Sequence, residues 1–413
     1  MKKILALLLA VVMVLGMVAC ASKTEAPAET TTTEPAAEAT TEETKTEEPA
    51  KEEETATEEQ PTEEGVIKKV ALVTDVGTID DESFNQATWQ GVKAYCEANG
   101  IEYTYYQPTE DSTDARCISI DQAIKEGANV VVMPGYLFGA SIVREQEKYP
   151  EVYFIAVDVG AGDLTEDYAT YYDPAKNVVC ATFAEEQAGY LAGYAVVMDG
   201  YTKLGFLGGM AVPAVIRYGF GFVQGADAAA KELDTKIEIN YVYGGQFSGD
   251  ADITAKMDTW YNAGTEVVFA CGGGIFTSAA EAAQKVNAKV IGVDNDQKGI
   301  IDGGYGEGMT VTSAMKGLAA TVNTMLTEVF AGNWDNYGGK IDTLGLVSDN
   351  PTENYVQIPM ESTQWADGKF TQDDYKALVA SMHKGDVKVS NDTTAMPAVD
   401  AAHTTVSDQG SIK

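Results

Sequence analysis

The sequence predicts an α/β protein of two lobes, each a doubly wound parallel sheet, joined by a hinge. Three observations predict it. Short, continuous apolar runs, typical of strands buried on both faces, alternate with stretches of helical spacing. The alternation runs from Val70 to Val157 and restarts after Tyr171, Tyr172 and Pro174. The stretch that carries it is roughly 350 residues, large for one hydrophobic core.

The first unit sets the pattern. Lys69 to Gly100 reads KVALVTDVGTIDDESFNQATWQGVKAYCEANG. Val70–Val73 is a strand and Asp75–Glu82 a polar loop. Ser83 with Gln86 reads as a capping box, so the helix starts at Ser83. Phe84, Ala87, Gly91, Val92, Tyr95 and Cys96 recur at helical spacing, and Gly100 closes the helix. A ligand of a parallel α/β sheet lies beyond the strands' C-terminal ends, against the helix start. Asp75, Asp81, Phe84 and Asn85 therefore share one mouth, suited to a flat, uncharged ligand with polar edges.

The following units repeat it. Tyr103–Tyr106 reads as a strand, Asp114–Glu126 as a helix, and Asn129–Met133 as a strand ending in Pro134-Gly135. Phe138–Lys148 is a helix, and Val152–Val157 a strand ending at Asp158. After the restart, Phe183–Met198 is a helix and Leu204–Leu207 a strand ending in Gly208-Gly209. Ala214–Leu233 is a helix, Ile237–Tyr243 a strand, Asp250–Ala263 a helix. Val267–Cys271 is a strand ending in Gly272-Gly273-Gly274, Phe276–Val286 a helix, and Val290–Val293 a strand ending at Asp294. Such repetition predicts right-handed crossovers. The last hundred residues are less regular and are expected to recross the hinge. The predicted division is 1–20 leader, 21–64 tether, 65–175 first lobe, 176–292 second lobe, 293–335 a return to the first lobe, and 336–413 a second return with a tail.

The leader is an export signal. Lys2 and Lys3 precede an apolar run, Ile4 to Ala19, too short for a good membrane span. Met17-Val18-Ala19-Cys20 resembles a bacterial lipoprotein box. That implies a lipid-modified Cys20 as mature N-terminus, anchored in the membrane by several acyl chains. The alternative is a secretory signal with an incidental cysteine. Ala21 to Glu64 contains no large apolar residue and carries 15 Glu against 3 Lys, −12 of the chain's −35. It reads as a disordered, self-repelling spacer.

Composition excludes several chemistries. So acidic a chain is a poor partner for nucleic acid, which needs clustered Lys and Arg. The two histidines, His383 and His403, stand near the C-terminus, so no strand end supplies a Ser-His-Asp triad or a zinc cluster. Cys96, Cys117, Cys180 and Cys271 lack metal-motif spacing and read as buried hydrophobes, with disulfides as the alternative. Gly219-Phe220-Gly221 misses the dinucleotide spacing by one residue. Gly272–Gly274 reads as a tight turn, with a phosphate cradle as the alternative. Asp80 and Asp81 read as solvated loop acids rather than an acid–base pair.

A ring of strand-end residues is left. Asp158 and Asp294 each follow an apolar strand, and Phe84 and Phe247 begin or precede helices. Either Asp alone has a second reading as a helix cap. Together, two rings can sandwich a base and two carboxylates can accept the hydrogens of a cis-diol.

Asp80-Asp81-Glu82-Ser83-Phe84-Asn85-Gln86 resembles the D-x-S-F-N-Q segment of the basic membrane protein family. Gly208-Gly209-Met210, Gly219-Phe220-Gly221-Phe222-Val223-Gln224-Gly225, Gly292-Val293-Asp294-Asn295-Asp296-Gln297 and Thr312-Ser313-Ala314-Met315-Lys316 resemble its later segments. The resemblance implies a type I periplasmic binding protein fold and a monomeric lipoprotein on the extracytoplasmic side of the cell membrane. It implies capture of a purine nucleoside for an ABC permease and its ATPase, with no cofactor, metal or catalytic residue. Phe84 and Phe247 would then stack on the base, while Asn85, Asp158, Asp294 and Lys316 hydrogen-bond the nucleoside. Asp75 and Gly273 would line the pocket. Without the resemblance, Lys316 reads as an exposed helix lysine. A sensor with the same pocket, a sugar-type ligand and a nucleoside hydrolase are the alternatives.

Overall fold

Val70, Ala71, Leu72 and Val73 are fully buried, as a strand covered by helices on both faces must be. They belong to β1 (Lys69–Val73), where the residues described by a computed structural model of the chain begin; these are 69–365 and 369–413. The first sheet adds β2 (Glu102–Tyr106), β3 (Val130–Pro134), β4 (Tyr153–Val157) and β5 (Val178–Phe183) in the order β5-β4-β3-β1-β2, all parallel. Helices α1 (Phe84–Asn99), α2 (Thr113–Lys125) and α3 (Gly139–Glu145) make the crossovers.

The second sheet repeats the plan. α4 (Glu185–Met198) leads into β6 (Lys203–Gly208), α5 (Pro213–Glu232), β7 (Ile237–Tyr243), α6 (Ala251–Asn262) and β8 (Val267–Cys271). α7 (Phe276–Val286), β9 (Lys289–Asp294), α8 (Lys298–Tyr305) and β10 (Thr310–Lys316) follow. The order β10-β9-β8-β6-β7 matches the first sheet strand for strand. β4 and β9, which end at the two aspartates, are therefore equivalent.

The chain then returns. α9 (Leu318–Phe330) packs on α1 so closely that a Cβ on Gly91 would stand 2.8 Å from Ala319 Cα. β11 (Lys340–Leu344) joins the first sheet beside β5. A second return adds β12 (Val356–Gln357), antiparallel to β10, then α10 (Gln372–Lys384) and β13 (Thr404–Ser411), parallel to β7. Three crossings lie side by side, at Ala184, at Gly317 and near Gly345; Ala184 N–H donates to Leu344 O, and Gly317 N–H to Tyr355 O.

Three boundaries differ from the sequence expectation. The second return does not begin at 336, because β11 still pairs in the first sheet. The second lobe does not start at 176, because Val178–Phe183 is a fifth strand of the first sheet. That apolar run continues into α4 through one residue, so periodicity merges strand and helix. Nor does the return begin at 293, since β9 and β10 both stay in the second sheet. The leader, the tether and Cys20 lie outside the described residues. Cys96, Cys117, Cys180 and Cys271 are buried free thiols. Among the described residues no helix is long and apolar enough to cross a membrane.

Glycine repeats explain the Gly219–Gly225 segment. α4 and α5 meet backbone to backbone through Gly189 and Gly193 on one and Gly221 and Gly225 on the other. A Cβ there would stand 2.1 Å from Tyr218 O, 2.2 Å from Phe222 O, 2.1 Å from Glu186 O and 2.0 Å from Tyr190 O, respectively. Packed helix backbones cannot yield by that much. Gly225→Val is therefore expected to destabilise the protein by about 3 kcal/mol. A urea midpoint equal to that of wild type would show that the helices separate easily.

Candidate ligand-binding site

A cavity of about 460 Å³ lies where the C-terminal ends of both sheets converge. Its wall includes every pocket residue expected from the sequence: Phe84, Asn85, Asp75, Asp158, Phe247, Gly273, Asp294 and Lys316.

Asp158 and Asp294 both adopt left-handed backbone, with φ of 58° and 65°. Such conformations are uncommon for non-glycine residues, and Asp tolerates them better than most. In each lobe the fourth strand stops abruptly there and turns a carboxylate into the cavity. The helix-cap alternative for Asp294 falls away, because the N-cap of the next helix, α8, is Gln297. No helix directly follows Asp158; the next element is β5.

Lys316 is no exposed helix lysine. It ends β10 with a side chain only 4% exposed. Its ammonium contacts Asp158 Oδ2 and lies 3.6 Å from both Glu185 Oε1 and Asp294 Oδ1. It also sits 4.7 Å from the centre of the Phe84 ring, within cation–π range. Burial alone would lower the Lys316 pKa, but Asp158, Asp294 and Glu185 together raise it above the ordinary lysine value. Burial pushes the Asp294 carboxyl up, against the opposing pull of Lys316 and the Ser83 hydroxyl.

The helix start differs from the expected capping box. Ser83 makes no side-chain cap. Asp81 caps instead: Oδ1 accepts from Ser83 N and Gln86 N, and Oδ2 from Asn85 N. Asp81 is thus a structural acid rather than a merely solvated one. The freed Ser83 Oγ donates across the cleft to Asp294 Oδ2 at 2.6 Å. Asn295 Nδ2 donates to Ser83 O and Gln297 Nε2 to Glu82 O, both at 2.9 Å. Two of the family-like segments therefore latch one lobe to the other.

Asn85 is held by the same acids. Its Nδ2 donates to Asp75 Oδ1 at 3.0 Å and Asp81 Oδ2 at 3.1 Å, which commits both amide hydrogens. Asn85 Oδ1, Asp158 Oδ1 and the Tyr218 hydroxyl are buried without a hydrogen-bond partner. Buried polar atoms are rarely left so. These three belong to cavity-lining residues. Burial also raises the Asp75 pKa.

Phe247 has a seat of glycines. A Cβ on Gly209 or Gly272 would meet its ring at 2.4 and 2.8 Å, and one on Gly273 would meet its carbonyl oxygen at 2.7 Å. Gly272–Gly274 is thus a tight turn shaped around an aromatic ring.

Sequence reasoning missed Glu185, Arg217 and Tyr218. Glu185 is wholly buried, and its Oε2 accepts from Arg217 Nε at 2.6 Å. A carboxylate directly after a hinge residue is the one signal that could have found it. Among the described residues no His, Cys, Asp and Glu group could hold a metal ion.

Residues 68–377 match the family model described as "ABC transporter substrate-binding protein PnrA-like". The chain is 28% identical over 328 residues to the "ABC transporter nucleoside-binding protein BmpA" of Lactococcus lactis, covering 73% of this chain and 88% of that one. It is 28% identical over 310 residues to "Basic membrane protein A1" of Borrelia garinii, covering 72% and 83%. A solved ABC transporter solute-binding protein from Conexibacter woesei shares the fold, with a TM-score of 0.61, 21% identity, and coverage of 78% and 99%.

Proposed function

The chain belongs to the PnrA-like family of ABC transporter substrate-binding proteins, and from that premise we propose that it captures a purine nucleoside in the interlobe cavity and delivers it to an ABC permease and its ATPase. The carrying observation is the pair of left-handed strand-end carboxylates, Asp158 and Asp294, flanking the buried Lys316. Asp158 Oδ1, buried and unpartnered, accepts from the ribose diol. Lys316 donates to the ribose. Phe84 and Phe247 stack on the base, and Asn85 Oδ1 accepts from its edge. Asp75 and Gly273 complete the wall.

The charge of the lining supports a nucleoside over a nucleotide. Asp75, Asp81, Asp158, Asp163 and Asp294 face Lys316 and Arg217, an excess that repels phosphate. The two phenyl rings favour a nucleoside over a sugar. The printed name of the Lactococcus relative agrees with this reading. Calorimetric titration with inosine, guanosine, their free bases and ribose tests it. Nucleosides bind tightest and ribose alone weakest; binding of ribose but no nucleoside overturns the proposal. Release of free base would make the protein a hydrolase.

The anchor belongs to the same proposal: a lipid on Cys20 holds the protein to the membrane on the extracytoplasmic side. Cys20→Ala is expected to leave the protein in the medium, because the acyl chains supply the membrane affinity. A variant that still sediments with membranes removes the lipid anchor.

A further inference from the structure

We propose that Glu185, paired with Arg217, is a positioning residue that holds the Lys316 ammonium between the strand-end carboxylates and makes nucleoside affinity depend on its own charge. This rests on the nucleoside reading above and adds a residue to it.

The geometry is specific. Glu185 opens α4, one residue after the first crossing, and Lys316 ends β10, one residue before the second. Their 3.6 Å contact therefore ties two crossing strands together beneath the ligand cavity. Glu185 has no exposed surface. Its Oε2 accepts from Arg217 Nε at 2.6 Å, while its Oε1 has no hydrogen bond and faces Lys316. A buried carboxylate is costly unless it is paired, and Arg217 pairs one Glu185 oxygen. The other oxygen competes with Asp158 for Lys316. Lys316 already contacts Asp158 Oδ2, and Asp158 is the carboxylate the diol needs. Glu185 draws the ammonium the other way. When Glu185 loses its charge, the Lys316 ammonium is free to engage both Asp158 oxygens and competes with the ribose at Oδ1.

The groups facing Glu185 are Asp158 from the end of β4, Lys316 from β10, Cys271 from β8, and Arg217 and Tyr218 from α5; Glu186 adjoins it on α4. Burial first, then the Asp158 charge, push Glu185 up to about 7, against Arg217 and Lys316. The ligand favours the ionised form. Binding therefore releases a proton, and affinity is full above neutrality and falls as the pH drops through that value.

Inosine titrations of the purified soluble chain at pH 8, 7 and 6 test this, with hypoxanthine as the control ligand. Wild-type affinity for inosine falls by up to about ten-fold from pH 8 to pH 6, the limit for one proton, and hypoxanthine changes little. Glu185→Gln binds inosine at about the wild-type pH 6 level at every pH, and Glu185→Asp recovers the slope. A Glu185→Gln variant with wild-type affinity and slope overturns the proposal, and so does equal loss for inosine and hypoxanthine. Should Glu185→Gln not fold by circular dichroism, Arg217→Lys carries the test. Weakening the pair moves the midpoint of the pH profile upward, and an unmoved midpoint overturns the proposal. If wild type binds no nucleoside at pH 8, the nucleoside reading falls and takes this inference with it; tight binding without pH dependence removes this inference alone.

Discussion

Replacing Asp158 with Asn is expected to weaken nucleoside binding by on the order of 2 kcal/mol, roughly thirty-fold, and to leave the free base nearly unaffected. A diol donating to a buried carboxylate gains charge-assisted hydrogen bonds, stronger than those to a neutral amide. Asn suits this test because it tolerates the left-handed backbone at φ 58°. Lys316 does not become an unpaired buried charge, since Glu185 and Asp294 stay within 3.6 Å. The loss thus reports on the ligand rather than on a collapsed site. Ala at the same position adds strain of roughly 1–3 kcal/mol from its left-handed backbone, which lowers the melting temperature as well. Calorimetry with inosine and hypoxanthine separates the two contributions. Equal losses for both ligands would remove Asp158 from the ribose.

The legible features of the sequence were those that local pattern carries. Val70–Val73 and Val130–Met133 are apolar along their whole length, as short strands buried on both faces are. Asp158 and Asp294 were visible because each follows a run of that kind. Their left-handed backbone was not, since it depends on the turn beyond the strand end. Lys316 was legible as a site residue only through the family resemblance. Its own surroundings argue for a surface helix until β10 is paired with β9, a contact that local spacing does not encode. Ser83 is the clearest case of a pattern used differently. Its spacing to Gln86 fits a capping box, but Asp81 already satisfies the free N–H groups, and the serine hydroxyl serves the other lobe. Glu185 was hidden for a related reason. Its three charged neighbours come from β4, α5 and β10, far apart in the chain.

Phe84→Ala and Phe247→Ala are each expected to cost roughly 1–3 kcal/mol of nucleoside affinity, the usual range for base stacking on an aromatic ring. Phe84 stands on the first lobe and Phe247 on the loop after β7 of the second, and both line the cavity. A base held by both bridges the lobes, so ligand favours the closed state through contacts that the open state lacks. The cleft also has a latch of its own in Ser83, Asn295 and Gln297, three hydrogen bonds that a hinge opening would break. Phe84 should be the costlier loss, because Lys316 lies 4.7 Å over its ring and would lose that support as well. Both side chains are only half-buried, so neither variant should unfold. Small-angle scattering across an inosine titration reads the outcome. Wild type compacts as nucleoside is added, and each variant reaches the same radius only at much higher ligand concentration. Confirmed binding with no change in radius would defeat the clamp. The latch, rather than the base, would then be what holds the lobes together.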